Sequence, residues 1–220
     1  MNQPALKRVC MRDHIRDVLV GRILDGTYPA GTQLKELYLA REFDVSQAPI
    51  REALRELEGS GLVTSQRFRG TRVRGADFAE MRESYELRIM LEMRSVALAA
   101  PYSADMLADL AVFLQRMDAA VKADDAESYI DGTLRFHRRL VEGSGNRTFL
   151  AVWDSLLWDI RGRIALRRLT DMGKSLRPFL NMHKALLTRL RDQDVAGATD
   201  RVRALLTRVA AAFDQRGTSR

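Results

Sequence analysis

The sequence holds a single cysteine, Cys10, and no apolar run longer than five residues, as from Val96 to Ala100. One thiol excludes an internal disulfide framework. Five residues fall far short of the ~20 that a transmembrane helix requires. The first ten residues, MNQPALKRVC, lack the apolar stretch of a secretory signal, so a cytoplasmic location and no membrane partner are expected. Aromatic residues are scarce at 7%, yet 46% of the 220 residues are hydrophobic and 30% are charged. That balance excludes intrinsic disorder and leaves an ordinary globular chain of one large or two smaller domains.

Charge of neither sign dominates: 36 Lys and Arg face 29 Asp and Glu, for a net of +7. Residues 1–75 carry 13 basic and 9 acidic side chains, whereas residues 76–220 carry 23 and 20. The shorter stretch is therefore the more basic per residue. Within it, SQRFRGTRVRG (65–75) brings together Arg67, Arg69, Arg72 and Arg74 with no acid, a patch suited to a polyanion. A solvated basic loop with no partner is the plain alternative.

Apolar spacing predicts a first helix over Val9–Asp25, through Val9, Ile15, Val18, Leu19 and Ile23, closed by Gly26. Pro29 and Gly31 mark a turn, followed by a short helix over Leu34–Phe43 with Leu34, Leu37, Leu39, Ala40 and Phe43 on its apolar side. Ser46 is placed to cap the next helix, Gln47–Glu58, whose first turn tolerates Pro49 and which Gly59 and Gly61 close. In it Ile50, Ala53, Leu54 and Leu57 fall at i, i+3, i+4 and i+7, and Gln47, Arg51 and Arg55 form a polar stripe facing away. One side packs and the other can touch something. LVTS and TRVRG then read as two strands with a turn at Arg69-Gly70.

Three helices and a hairpin give a winged helix-turn-helix outline. A helix with one polar basic face suits a major groove about 12 Å wide. The hairpin beside it would carry Arg67, Arg69 and Arg72 to phosphates or the neighbouring minor groove, with Gly70 allowing close backbone approach.

Beyond Gly75 the pattern is helical throughout, with helices expected at about 77–100, 104–122, 126–143, 147–168, 175–192 and 194–215. Pro101, Asp124-Asp125, the GSGN of 143–146, Gly173 and Asp192–Asp194 supply the breaks. The expected fold is mainly α: a winged helix-turn-helix domain with a small β-hairpin over residues 1–75, then an all-α bundle over residues 76–220. The Val73–Phe78 connection, with Gly75 and Ala76, is the expected hinge. Trp153 and Trp158 are read as core.

The run from Leu34 to Val73, and VSQAPIREALRELEGSGLV above all, resembles the winged-helix DNA-binding domain of GntR-family bacterial transcription regulators. YELRIMLEMRSVALAA, LRFHRRLVEGSGN and HKALLTRLRDQD resemble the FCD domain of the family's FadR-type branch, in its shorter six-helix form. The resemblance implies a homodimer that binds double-stranded operator DNA and answers to a small organic acid, with repression as the expected output. It implies DNA contacts at Ser46, Gln47, Ala48, Arg51 and the wing glycine Gly70, to which the charge pattern adds Arg55, Arg67, Arg69 and Arg72. Ser46-Gln47-Ala48 stands where the family commonly has Ser-Arg-Thr. Gln pairs with adenine edges and Arg with guanine, so base preference is expected to shift. Pairing of Arg51 or Arg55 with Glu52, Glu56 or Glu58 is the competing reading.

Many FCD domains hold a divalent metal through one Asp and three His. His137 and His183 match two of those histidines, but Thr133 stands at the aspartate position and Leu205 near the third histidine. Asp131 lies six residues before His137, turned about 120° away around a helix. No cofactor is therefore expected, and zinc, nickel or manganese on His137 and His183 is the alternative. A metal-free pocket would instead use Thr133, His137 and His183 for an acid, with Arg88 matching a family arginine that often takes an effector carboxylate. A salt bridge from Arg88 to Glu92 is the competing reading. The sequence has no strand-turn-helix nucleophile motif and no phosphate-cradling glycine loop, so no enzyme is expected. The rival classes are a sequence-tolerant architectural DNA binder and a metal-assisted hydrolase built on the two histidines.

Overall fold

The computed structural model describes residues 3–66, 70–74 and 77–214, with side chains from residue 11 onward except Asp171. The chain divides into two compact units, Met1–Asp77 and Phe78–Arg220.

The first unit runs α1 (Gln3–Leu24), β1 (Gln33–Leu34), α2 (Glu36–Glu42), α3 (Gln47–Gly59), β2 (Val63–Gln66) and β3 (Gly70–Val73). Helix α3 forms as its periodicity predicts: Ile50, Ala53, Leu54 and Leu57 are all buried, against Ile15, Leu19 and Val20 of α1 and Leu39 and Ala40 of α2 in one core. Each large member of that core contributes about 1.5–3 kcal/mol by leaving water. Gly61, at φ +79°, ends α3, where Leu62 N–H reaches back to the Leu57 carbonyl at 3.0 Å.

Three expectations are corrected in this unit. The predicted hairpin is a three-stranded antiparallel sheet of order β1-β3-β2, because Gln33 and Leu34 pair with Arg72 and Thr71 instead of opening a helix. A strand of two residues is too short to show alternation. Leu37 is 49% exposed, not on the packed side of α2. Ser46 holds the N-cap position of α3, but its side chain makes no capping hydrogen bond.

The second unit contains α4 (Phe78–Leu98), α5 (Ala104–Ala123), α6 (Ala126–Gly143), α7 (Arg147–Ser155), α8 (Trp158–Asp171), α9 (Arg177–Arg191) and α10 (Val195–Ala210), then a 3-10 turn at Ala211–Phe213. Ser103, Asp125, Asn146 and Asp194 cap four of these helices by accepting from backbone N–H groups. Helix α4 buries the stripe Met81, Tyr85, Arg88, Leu91, Glu92, Ser95 and Val96, so charged residues enter the core on its inner face. It packs against α6, α7 and α10.

The helix expected at 147–168 is two helices. Leu157 adopts left-handed φ 51° and ψ 51° and turns the chain between α7 and α8. An unbroken helix would set Trp153 and Trp158 about 140° apart around its axis. With the corner, both indoles are buried and both approach the Arg88 guanidinium, at 5.8 and 4.5 Å from ring centroid to Cζ. Arg161 stitches the corner by donating from Nε to the Leu156 carbonyl at 2.9 Å.

Candidate functional site: nucleic-acid face and polar pocket

At the start of α3, Ser46, Gln47 and Ala48 are exposed, and so are Arg51 and Arg55 on the stripe that faces away from the core. Arg51 pairs with none of the acids expected of it. Its guanidinium grips Glu36 of α2, with Nη2 2.9 Å and Nε 3.2 Å from Oε2, while its side chain stays 52% exposed. Glu56 is occupied by Arg12 and Arg16 of α1, and Glu58 accepts from the Ser65 backbone N–H. Arg55 makes no ion pair among the described residues.

Arg72 is exposed on β3 and donates to the Gly31 carbonyl at 3.0 Å. Gly70 takes φ +76°, so the backbone calls for glycine, and a Cβ there would come within 3.3 Å of the Gln33 side chain and shift it slightly. Arg67 and Arg69 lie outside the described residues, as do Gly75 and Ala76 of the expected hinge. Sequence reading missed Glu36 as the partner of Arg51. The two are fifteen residues apart on different helices, with no local signal linking them.

The second unit holds a cavity of about 50 Å³. Arg88 and Tyr85 of α4, Tyr129, Thr133 and His137 of α6, and His183 of α9 supply its polar side. Gly162 and apolar side chains of α6, α8, α9 and α10, among them Leu169, Leu205, Leu206 and Val209, supply the rest. The four residues expected to hold an acid are thus brought together.

Arg88 makes the salt bridge to Glu92 weighed for it. Its Nε donates to Glu92 Oε1 at 2.6 Å in the buried core, and its Nη2 is left buried with no hydrogen-bond partner. The hydroxyls of Tyr129 and Thr133 are also buried and unbonded; they lie near one another, but too loosely for a hydrogen bond of normal geometry. Orphaned polar atoms of this kind are uncommon in folded cores and are expensive to leave unmade.

Glu92 organises the cluster from behind. It accepts from Arg88, from Trp153 Nε1 at 3.3 Å and from His137 Nδ1 at 2.5 Å. Burial works to raise its pKa, but the pull of His137 and then of Arg88 outweighs burial and holds the carboxyl down at about 2. His183 Nδ1 faces the Phe179 carbonyl at 2.8 Å. Burial, reinforced by His137, pushes His183 down to about 3, and burial lowers His137 against the opposing effect of Glu92. Each Nδ1 meets an acceptor and so donates there, which leaves the two Nε2 atoms 3.2 Å apart with one donor needed between them.

The donor set does not fit a resident metal. Two imidazoles fall short of the three or four protein ligands of stable divalent sites. Thr133 brings a hydroxyl and Leu205 only methyl groups, while Asp131 is exposed and paired with Arg135. No group of three or more His, Cys, Asp or Glu able to hold a metal occurs among the described residues. Nor, among them, is any helix long and apolar enough to cross a membrane.

Comparison with known proteins accounts for both units. Over 184 residues the chain is 28% identical to the probable D-xylose utilization operon transcriptional repressor of Paenarthrobacter nicotinovorans, covering 82% of this chain and 81% of that protein. It is 28% identical over 177 residues to the gluconate operon transcriptional repressor of Bacillus licheniformis, covering 79% and 72%. The structure of E. coli McbR/YncC superposes with a TM-score of 0.74 at 22% identity, over 93% of this chain and 97% of that one, and so shares the fold. The similar proteins named here as repressors act in transcription, which gives the hydrolase alternative no support. Residues 11–73 match the model for bacterial regulatory proteins of the gntR family, and residues 83–208 match the FCD domain. The chain therefore belongs to the GntR family of transcription regulators, in the branch that carries an FCD domain.

Proposed function

We propose that the protein is a homodimeric repressor whose first unit grips a palindromic operator and whose second unit binds a small organic acid that releases the DNA. The observation that carries the acid is the buried, unbonded Nη2 of Arg88, a residue that lines the cavity. A guanidinium edge in a dry site is well suited to a carboxyl group. Gln47 and Arg51 supply base-edge contacts, and Arg55, Arg72 and the wing supply the phosphate grip. Dimerisation is supported by α4, which leaves Leu87, Met90 and Leu98 exposed along one stripe, Met90 by 63%.

Regulation requires the acid to prefer one arrangement of the reading heads, since a ligand with equal affinity for both shifts nothing. A coupling of about 1–3 kcal/mol suffices. The test is fluorescence anisotropy of the purified chain on duplexes from upstream of its own gene, at stated salt, with and without added acids. Preference over random duplex of roughly 10³-fold is expected, and an added acid should lower it. Equal binding to all duplexes would leave an architectural binder instead.

A further inference from the structure

Building on the acid-responsive reading above, we infer that the pocket selects short monocarboxylic acids with an apolar body and disfavours sugar acids and dicarboxylates. Three observations lead there. The lining carries a small set of polar groups: Arg88 Nη2 and the Thr133 and Tyr129 hydroxyls are buried and unbonded, and His137 and His183 line the same cavity. Most of the lining is hydrocarbon, where Leu205, Leu206, Val209 and Leu169 offer no hydrogen bond to a hydroxyl or a second carboxylate. The cavity is also small. At about 50 Å³ it has room for a few water-sized bodies, which matches a carboxyl group on a short branched chain.

Charge points the same way. Arg88 is the cation of the pocket lining, and Glu92 already neutralises it in part, so a second carboxylate would be buried without a counter-charge. Each hydroxyl of a sugar acid would lose its water partners against the leucine wall. Two similar proteins are named for gluconate and D-xylose operons. Leu205 of this chain lines the cavity, buried at 1% exposure, and offers a polyol no polar partner. Thr133 and Leu205 are accordingly the specificity-determining residues, one offering the carboxyl group a hydroxyl and one offering the body of the acid only hydrocarbon.

The test is isothermal titration of the full chain with isobutyrate, succinate and gluconate at equal ionic strength. Isobutyrate should bind at least tenfold more tightly than gluconate or succinate. Thr133→Val keeps the shape and removes the hydroxyl, and should weaken isobutyrate about tenfold. Leu205→Asn should narrow the preference of isobutyrate over gluconate. Tighter binding of gluconate or succinate, abolished by Thr133→Val, overturns the ligand class and leaves the acid-responsive reading standing. If none of the three acids binds, this ligand class is overturned, while the acid-responsive reading stands or falls by the operator assay above. Isobutyrate binding that both variants leave unchanged places the acid elsewhere and overturns the assignment of these residues.

Discussion

The two units place charge in opposite ways. In the first, arginines stand on the outer face of α3 and on β3, in contact with water and at most one acid each. In the second, Arg88, Glu92, His137 and His183 are all buried, and every one is held by a partner from another side chain or the backbone. A solvated arginine is cheap to keep and can be given to a new partner without unfolding anything. A buried cluster is expensive to assemble and intolerant of losing a member. The same residue type thus serves as a contact to be made in one unit and as part of the frame in the other.

The sharpest way to break this contrast is to remove Glu92. Glu92→Ala strands Arg88 and His137 in the core and should destabilise the second unit by about 3–5 kcal/mol, read as a lower midpoint in urea monitored by Trp fluorescence. Arg51→Ala should leave that midpoint unchanged and cost about 1–3 kcal/mol of operator affinity. A shifted midpoint, or unaltered affinity, would erase the distinction between the units.

Acid sharpens it further. His183 has a folded pKa of about 3 against an ordinary 6.5, so the unfolded chain takes up its proton first and stability falls as pH drops through that window. Glu92, at about 2 against 4.5, adds to the loss as pH falls below 4.5. The melting temperature of the second unit should decline from about pH 6.5 downward, and His183→Asn should flatten the curve between pH 6.5 and 4.5. The smallest effect belongs to Glu36→Gln. It should change stability by less than about 1 kcal/mol while raising affinity for any duplex, because a carboxylate beside Arg51 repels phosphate. Reduced affinity for every duplex would show that Glu36 orients Arg51 for contact.

What could be read from sequence follows the range over which its causes act. Helix α3 was legible because burial of Ile50, Ala53, Leu54 and Leu57 repeats within a few residues, and the breaks read at Asp125, Asn146 and Asp194, which the structure shows to be caps, are likewise local. Strand β1 was not, since Gln33 and Leu34 are extended only because β3 supplies partners almost forty residues away. Arg88, Thr133, His137 and His183 were placed in one pocket through family resemblance, and the structure does bring them together. The role of Glu92 behind His137 was invisible, since it joins helices 45 residues apart. Leu37 misled because an apolar residue at helical spacing reads as core whether or not a neighbour covers it.

The corner at Leu157 carries neither glycine nor proline, and it sets a rule about chain length. Trp153 and Trp158 reach the same guanidinium only because a fixed number of residues separates them, and one residue more in α8 ahead of Trp158 would swing that indole by about 100°. Substitutions on the outside of this bend are expected to be tolerated where insertions and deletions are not, so relatives that share the indole pair should keep its spacing even where the residues between have drifted.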